Sequence, residues 1–213
     1  MQISEPIATK IAEYLLEIKA IKLEPNNPFT WASGLKSPIY SDNRLSLSHP
    51  AIRSYIKNAM ADQIRIHYPQ VEAIIGVATA GIAPGALVAD AMELPFGYVR
   101  SEPKKHGMGK QVEGDIRPEQ AVVVIEDLVS TGKSSLQAID ALRSFGSNVL
   151  GLASIFTYGL ETAQNNFNNA NCPYFALCNY DALIEVAVAK GYVNSSDRDV
   201  LAAWRKNPEI WGN

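Results

Sequence analysis

The arrangement of its aliphatic runs limits what this chain can fold into more than any other feature of the sequence. Four short apolar runs recur along it, three of them with several β-branched residues: EAIIGVA (72–78), AVVVIED (121–127), NVLGLASIFT (148–157) and PYFALC (173–178). The segments that follow them carry apolar residues at helical spacing, as in the stripe that begins at Leu136. Nearly continuous apolar strands joined by helices predict an α/β fold with a mostly parallel sheet covered on both faces.

Length and charge limit the class of protein. A chain of 213 residues, 47% of them hydrophobic, can bury a sizeable core, and we expect residues 1–213 to form a single domain. Its 19 Lys and Arg against 22 Asp and Glu give a formal charge of −3, which argues against a nucleic-acid-binding surface. The N-terminal segment lacks the apolar core of a signal peptide, and no stretch approaches a membrane span. We expect a cytoplasmic protein with neither nucleic-acid nor membrane partners.

Smaller signals indicate local structure. Ser4 is a candidate cap for a first amphipathic helix, and Pro50 suits the first turn of a second helix. Cys172 and Cys178 lie in one hydrophobic segment with the alternation of a strand, which favours two buried thiols over a disulfide or a metal pair.

The segment VVVIEDLVSTGKSS (122–135) places two acids and a Gly-Lys-Ser turn directly after a predicted strand. Its end resembles a nucleotide-binding P-loop, G-x-x-x-x-G-K-[ST], in which the first glycine lets the backbone curl around the β-phosphate. Asp127 stands where that glycine is needed, and its carboxylate would repel the phosphates. We therefore exclude a P-loop.

The same segment suits a smaller anion. Ligands of parallel sheets bind outside the carboxyl ends of the strands, and we expect strand 121–125 to end at Glu126 and Asp127. The amides and hydroxyls of the turn can converge on a monophosphate, while the two acids accept hydrogen bonds from vicinal sugar hydroxyls. The implied ligand is a ribose 5-phosphate. The residues predicted to follow the acids around it are Leu128, Val129, Ser130, Thr131, Gly132, Lys133 and Ser134.

Paired acids followed by such a turn resemble the phosphoribosyl pyrophosphate motif of the type I phosphoribosyltransferases. The resemblance implies the fold of that family, which is a central, mostly parallel sheet flanked by helices. It also implies a small hood formed by the N-terminal and C-terminal segments, with residues 1–45 contributing over the base site.

Two further segments resemble orotate phosphoribosyltransferase. The polar segment YVRSEPKKHGMGKQVEG (98–114) resembles its catalytic lid, R-x-x-x-K-x-H-G, which Arg100, Lys104, His106 and Gly107 match. The segment FTWASGLKSPIYSDNR (29–44) resembles its F-T-x-x-S-G-x-x-S-P-x-Y stretch over the base pocket. A purine or uracil phosphoribosyltransferase would share the acidic motif but neither of these segments. An RNA-binding regulator on the same fold would need a basic face, which a pI of 5.6 argues against.

The resemblance implies a reaction and a set of residues. The reaction is transfer of a phosphoribosyl group from phosphoribosyl pyrophosphate to N1 of orotate, with Mg²⁺ carried by the diphosphate and not bound directly by the protein. Lys104, His106 and Asp127 are the implied catalytic residues, and Arg100 is the implied diphosphate clamp. The residues implied to contact orotate are Lys22, Phe29, Ser130 and Tyr158, and the upstream segment adds Ser33, Gly34 and Lys36 near the base.

The resemblance further implies a homodimer with shared active sites. It also implies that the segment GVATAGIA (76–83), after strand 72–77, is the loop that binds the diphosphate, with a non-proline cis peptide at Ala78–Thr79. Three positions depart from the pattern of some family members. Ser101 and Ala80 stand where those members have lysines, and Tyr158 stands where they place an arginine against the base.

Overall fold

The computed structural model describes residues 3–31, 34–102 and 111–212, and it is built from strands and helices that alternate along most of the chain. The strands are β1 (Ile21–Leu23), β2 (Phe29–Thr30), β3 (Lys36–Ser37), β4 (Ile39–Ser41), β5 (Ala73–Val77), β6 (Phe96–Val99), β7 (Val112–Glu113), β8 (Ala121–Val129), β9 (Asn148–Thr157) and β10 (Tyr174–Asn179). The α-helices are α1 (Glu5–Glu17), α2 (Pro50–His67), α3 (Ile82–Met92), α4 (Lys133–Phe145), α5 (Glu161–Asn169), α6 (Tyr180–Ala189) and α7 (Arg198–Lys206). Two short 3-10 helices cover Asn43–Ser48 and Ser195–Asp197.

Six of these strands form the central sheet, in the spatial order β10-β9-β8-β5-β6-β7. The first five run parallel to one another, and β7 is antiparallel to β6. The predicted α/β fold with a mostly parallel sheet is therefore confirmed. The ends of segment 98–114, predicted as a loop, are instead part of β6 and β7, because Arg100 and Gln111 exchange two hydrogen bonds that close the pair.

The sheet is buried on both faces because successive residues of its central strand point in opposite directions. Val123 and Ile125 of β8 pack into a core that includes buried residues of α1, α2, α3, α6 and α7. Val122 and Val124 pack into a second core with α4 and α5. This two-sided burial explains why residues 121–125 of β8 are all aliphatic.

Two small antiparallel pairs lie between α1 and α2 in the sequence, in the region predicted to contribute to the hood. One pair joins β1 to β4, and the other joins β2 to β3. The boundaries of a single domain stay a prediction. Among the described residues, none of the helices has both the length and the apolar character that a bilayer span requires.

Most local predictions are confirmed, and three need correction. Helix α2 begins at Pro50 as predicted, and both cysteines are buried free thiols. Ser4 occupies the capping position of α1, but its side chain makes no capping hydrogen bond. Cys172 precedes β10 and does not share its strand with Cys178.

The third correction concerns β8, which extends to Val129 and does not end at residue 125. Its neighbour β5 stops pairing at Ile125, but β9 continues to pair as far as Val129. Glu126 and Asp127 therefore lie inside the strand, at the point where it keeps a partner on one side only.

Candidate active site

The two acids occupy the end of β8 and are largely withdrawn from solvent. Glu126 is only 6% exposed, and its carboxylate accepts a hydrogen bond from the Asp127 backbone N–H at 3.1 Å. The Ser135 hydroxyl of α4 donates to its other oxygen at 3.4 Å. Asp127 is half-buried beside it.

Their burial changes their acidity. Burial, together with the negative charge of Asp127, raises the pKa of Glu126 to about 8. Burial also raises the pKa of Asp127, against the opposing influences of its hydrogen bond with Glu126 and of the Arg44 charge. The pair of carboxyls therefore holds a proton more readily than two free carboxyls would, so it can offer both a donor and an acceptor to ligand hydroxyls.

Because the folded chain holds this proton more tightly than the unfolded chain, the free energy of unfolding should depend on pH. Between the ordinary pKa of 4.5 and about 8 the folded chain holds a proton that the unfolded chain has released, so Glu126 makes stability fall as pH rises. We expect Glu126→Gln to remove this slope, so that its melting temperature rises relative to wild type by roughly 8–15 °C as the pH goes from 5 to 8.5. Differential scanning calorimetry across that range measures it. Glu17→Gln, on the exposed face of α1, should follow the wild-type curve, and a Glu126→Gln curve parallel to wild type would contradict the assignment.

The turn that follows β8 is shaped to present backbone N–H groups. Gly132 adopts a left-handed conformation (φ 78°), and α4 begins at Lys133 with no side-chain cap among the described residues. A methyl group on Gly132 would come within 2.5 Å of the Phe167 ring, so the close approach also requires glycine. The first amides of α4 thus have no side-chain cap that would compete with an anion, and phosphate binding by residues 130–134 stays a prediction.

The neighbouring structure fixes this turn from two sides. The Thr157 hydroxyl of β9 donates to the Val129 carbonyl at 3.1 Å, and the Asn166 side-chain amide of α5 donates to the Thr131 carbonyl at 3.0 Å. The turn therefore has a defined position before any ligand arrives.

A second turn lies beside it, between β5 and α3. The Ala78 N–H donates to the Val99 carbonyl at 2.9 Å, and the Gly81 N–H donates to the Val77 carbonyl at 2.9 Å. The predicted cis peptide at Ala78–Thr79 is confirmed. Because β5 is the neighbour of β8, this turn and the acids lie at the same edge of the sheet.

A cavity of about 400 Å³ opens next to the acids, between the sheet and the small antiparallel pairs. Its described lining consists of aromatic, hydroxyl and aliphatic side chains: Thr30, Trp31, Tyr40, Ser41, Leu128, Ser130 and Tyr158. The rings of Trp31 and Tyr158 stack with centroids 5.7 Å apart, and the Tyr158 hydroxyl donates to Ser41 Oγ at 3.2 Å. Burial raises the pKa of Tyr158 to about 12, so this hydroxyl keeps its proton. A flat ring suits the cavity.

The predicted base-contacting residues reach this cavity to different degrees. Ser130 and Tyr158 line it. Phe29 packs against the Tyr40 ring, with centroids 5.7 Å apart, and Lys22 lies opposite Tyr40 in the β1–β4 pair. Ser33 lies outside the described residues.

Of the predicted lid, the structure describes only the ends. Arg100 follows β6, and its guanidinium lies 3.6 Å from a Glu113 carboxylate oxygen of β7. Lys104 and His106 lie outside the described residues, so their roles stay predictions. A larger cavity, about 640 Å³, runs along the edge strand β10 and is not lined by the acids.

Comparison with known proteins identifies the family. A model of the phosphoribosyl transferase domain matches residues 46–176. An orotate phosphoribosyltransferase from Listeria innocua is 52% identical over 206 residues, which cover 97% of this chain and 99% of the relative. The chain belongs to the orotate phosphoribosyltransferase family.

Other members of the orotate phosphoribosyltransferase family agree with this. One from Porphyromonas gingivalis is 54% identical over 202 residues, which cover 95% of this chain and 96% of the relative. The crystal structure of the orotate phosphoribosyltransferase from Aeropyrum pernix superposes with a TM-score of 0.74 at 29% identity, covering 86% of this chain and 99% of that one.

Much of the cavity wall was not predicted from the sequence. Thr30, Trp31, Tyr40 and Ser41 line the cavity but were not predicted as base contacts. All four lie within the segment 29–44 that was assigned to the base pocket. Its concentration of aromatic and hydroxyl side chains was the available signal.

Proposed function

We propose that this chain transfers the phosphoribosyl group of phosphoribosyl pyrophosphate to N1 of orotate in pyrimidine biosynthesis, giving orotidine 5′-monophosphate and diphosphate. One observation carries the proposal. Leu128, directly after the acids, lines the flat cavity, and Ser130 belongs both to that cavity and to the anion-binding turn. The proposed partners of the ribose, the base and the 5′-phosphate therefore lie close together along one strand end.

The proposed chemistry breaks one bond and forms another at C1 of the ribose. As the bond from C1 to the diphosphate oxygen lengthens, positive charge builds on the sugar, and the carboxyl pair of Glu126 and Asp127 holds its hydroxyls and stabilises that charge. N1 of orotate bonds to C1, and the proton that N1 loses is taken up by the departing diphosphate, which leaves with the electron pair of the broken C1–O bond. Residues 130–134 hold the 5′-phosphate, so the ribose stays fixed while C1 moves from the diphosphate to the base.

The donor set of the site fits a Mg²⁺ ion that is carried by the substrate. Among the described residues there is no cluster of three or more potential protein ligands, and Mg²⁺ commonly binds through substrate phosphates, waters and one or two carboxylates. We propose that Glu126 and Asp127 are the carboxylates nearest to it. When bound, Mg²⁺ would neutralise charge on the departing diphosphate.

We propose that the lid supplies the remaining positive charge. Lys104 and His106 stabilise the leaving diphosphate, and Arg100 clamps it. The half-exposed position of Arg100 at the end of β6, held near Glu113, supports this role because β6 ends beside the β5–α3 turn.

Recognition of orotate requires both a flat slot and a cation. Trp31 and Tyr158 provide flat surfaces, but none of the described lining residues is charged, whereas orotate carries a carboxylate. Lys22 shares a face with Tyr40 because the two are directly opposed in the β1–β4 pair. We propose that Lys22 supplies the charge at the rim, with Phe29 supporting the Tyr40 wall.

The experiment that tests the function is a substrate panel. Purified protein is incubated with phosphoribosyl pyrophosphate, Mg²⁺ and one of orotate, uracil, adenine or hypoxanthine. We expect loss of orotate absorbance, with kcat/KM for the other three bases at least about 100-fold lower. Omission of phosphoribosyl pyrophosphate is the control. Faster turnover of any other base would contradict the assignment. We also propose a cytoplasmic homodimer, whose shared sites are tested by subunit mixing.

A further inference from the structure

Asn43 makes a hydrogen bond at the point where the active-site strand loses a neighbour. Beyond Ile125, β8 no longer pairs with β5 and keeps only β9. The Asn43 side-chain amide donates to the Asp127 carbonyl oxygen at 2.9 Å, across 84 residues of sequence. The Asn43 side chain thus binds the backbone of Asp127, a proposed catalytic residue, where β8 pairs with β9 only.

The position of Asn43 is itself fixed. It is 2% exposed, and its backbone carbonyl accepts a hydrogen bond from the Ser46 hydroxyl at 2.7 Å within the 3-10 helix Asn43–Ser48. Its amide orientation is determined, because only the NH₂ group can donate to a carbonyl oxygen. Ser41 of the base cavity ends β4 just before Asn43, so Asn43 connects the base-binding region to the acids.

The other end of the same amide argues against a purely structural role. Asn43 Oδ1 is buried and has no hydrogen-bond partner among the described residues. A buried acceptor without a partner destabilises a fold, which offsets the gain from one hydrogen bond. Packing alone would therefore favour an apolar side chain at this position.

We propose that Asn43 is a positioning residue that acts through Asp127, holding the end of β8 so that the Asp127 carboxylate faces the ribose. This rests on the proposed function of the site. Its consequence is specific: the contribution of Asn43 to catalysis exists only while residue 127 carries a carboxylate.

The test is a double-mutant cycle between Asn43→Ala and Asp127→Asn. We expect Asn43→Ala to lower kcat about 10–30-fold in the wild-type background and less than about threefold in the Asp127→Asn background. The KM for orotate should stay within about twofold of wild type, because the base cavity keeps its walls. A collapse of the segment would instead raise that KM and lower activity equally in both backgrounds.

Ser37→Ala is the matched control, since it removes a buried hydrogen bond, from the Ser37 hydroxyl to the Ile39 carbonyl, in the same part of the chain without touching Asn43 or Asp127. Any loss of activity it causes should be the same factor with and without Asp127→Asn. Asn43→Leu separates the loss of the hydrogen bond from a loss of stability, because it nearly keeps the volume of the side chain and removes the unpaired oxygen. It should melt no lower than Asn43→Ala, with a similar loss in kcat.

The outcomes separate the two proposals. Equal losses from Asn43→Ala, or from Asn43→Leu, in both backgrounds would overturn the positioning role while leaving the activity in place. Failure of the wild-type chain to consume orotate would instead contradict the proposed function.

Discussion

Mixing two inactive variants of this chain is expected to restore roughly a quarter of wild-type activity. One variant carries Lys104→Ala and His106→Ala, and the other carries Asp127→Ala. Each should lose at least about 100-fold in kcat/KM alone, because one lacks the cations for the diphosphate and the other lacks the ribose acceptor. If subunits pair at random, half of the dimers are mixed, and each mixed dimer has one site with an intact lid and an intact acid pair.

The physical basis is the composition of the lid. Residues 103–110 carry three lysines and a histidine beside two glycines, which gives them little apolar surface with which to fold over their own site. Such a segment needs a docking surface from elsewhere to exclude water during the reaction. We propose that the neighbouring subunit supplies this surface, so that the lid of one chain acts on the diphosphate held by its partner.

The design separates subunit sharing from other kinds of rescue. A mixture of a Lys104→Ala chain with a His106→Ala chain is the control, because every site then lacks one lid cation and no site regains both. Native mass spectrometry reports whether the subunits have exchanged. Mixed dimers without recovered activity would mean that the lid works within its own chain.

The parts of this molecule that the sequence predicted are those encoded by local patterns. Buried strands such as β8 need aliphatic side chains on both faces, and this composition is visible without any knowledge of the partner strands. The turn that leads into α4 is equally local, because the glycine, the hydroxyls and the start of α4 lie within five consecutive residues.

The parts that the sequence could not predict depend on contacts between distant segments. The length of β8 beyond Ile125 is set by where β5 and β9 end, not by its own residues. The Tyr158–Ser41 hydrogen bond joins residues 117 apart in the sequence. The raised pKa of Glu126 depends on its burial beside Ser135 of α4. Propensities and motifs do not show which distant residues will come into contact, so these contacts in the wall of the base cavity became known only from the fold.

Gly81→Ala is expected to lower kcat/KM for phosphoribosyl pyrophosphate about 100-fold. Gly81 has an ordinary right-handed conformation, so the reason is space and not backbone freedom. An added methyl group would overlap the Ile125 carbonyl oxygen of β8 and would lie 2.8 Å from the Val77 backbone. Since these are backbone atoms, the β5–α3 turn must move away from β8, and displacement of binding groups by about 1 Å is enough for a loss of this size.

The measurement must distinguish a displaced turn from a less stable chain. Gly191→Ala provides the comparison, because no described atom lies within 4 Å of the added methyl group but the backbone is left-handed (φ 75°). We expect Gly191→Ala to lower the melting temperature while leaving the kinetic constants of the folded protein unchanged. Gly81→Ala should weaken phosphoribosyl pyrophosphate binding even at temperatures where circular dichroism shows it fully folded. If Gly81→Ala keeps kcat/KM within about threefold of wild type under those conditions, the β5–α3 turn does not hold the diphosphate, and the cations of the lid must do so without it.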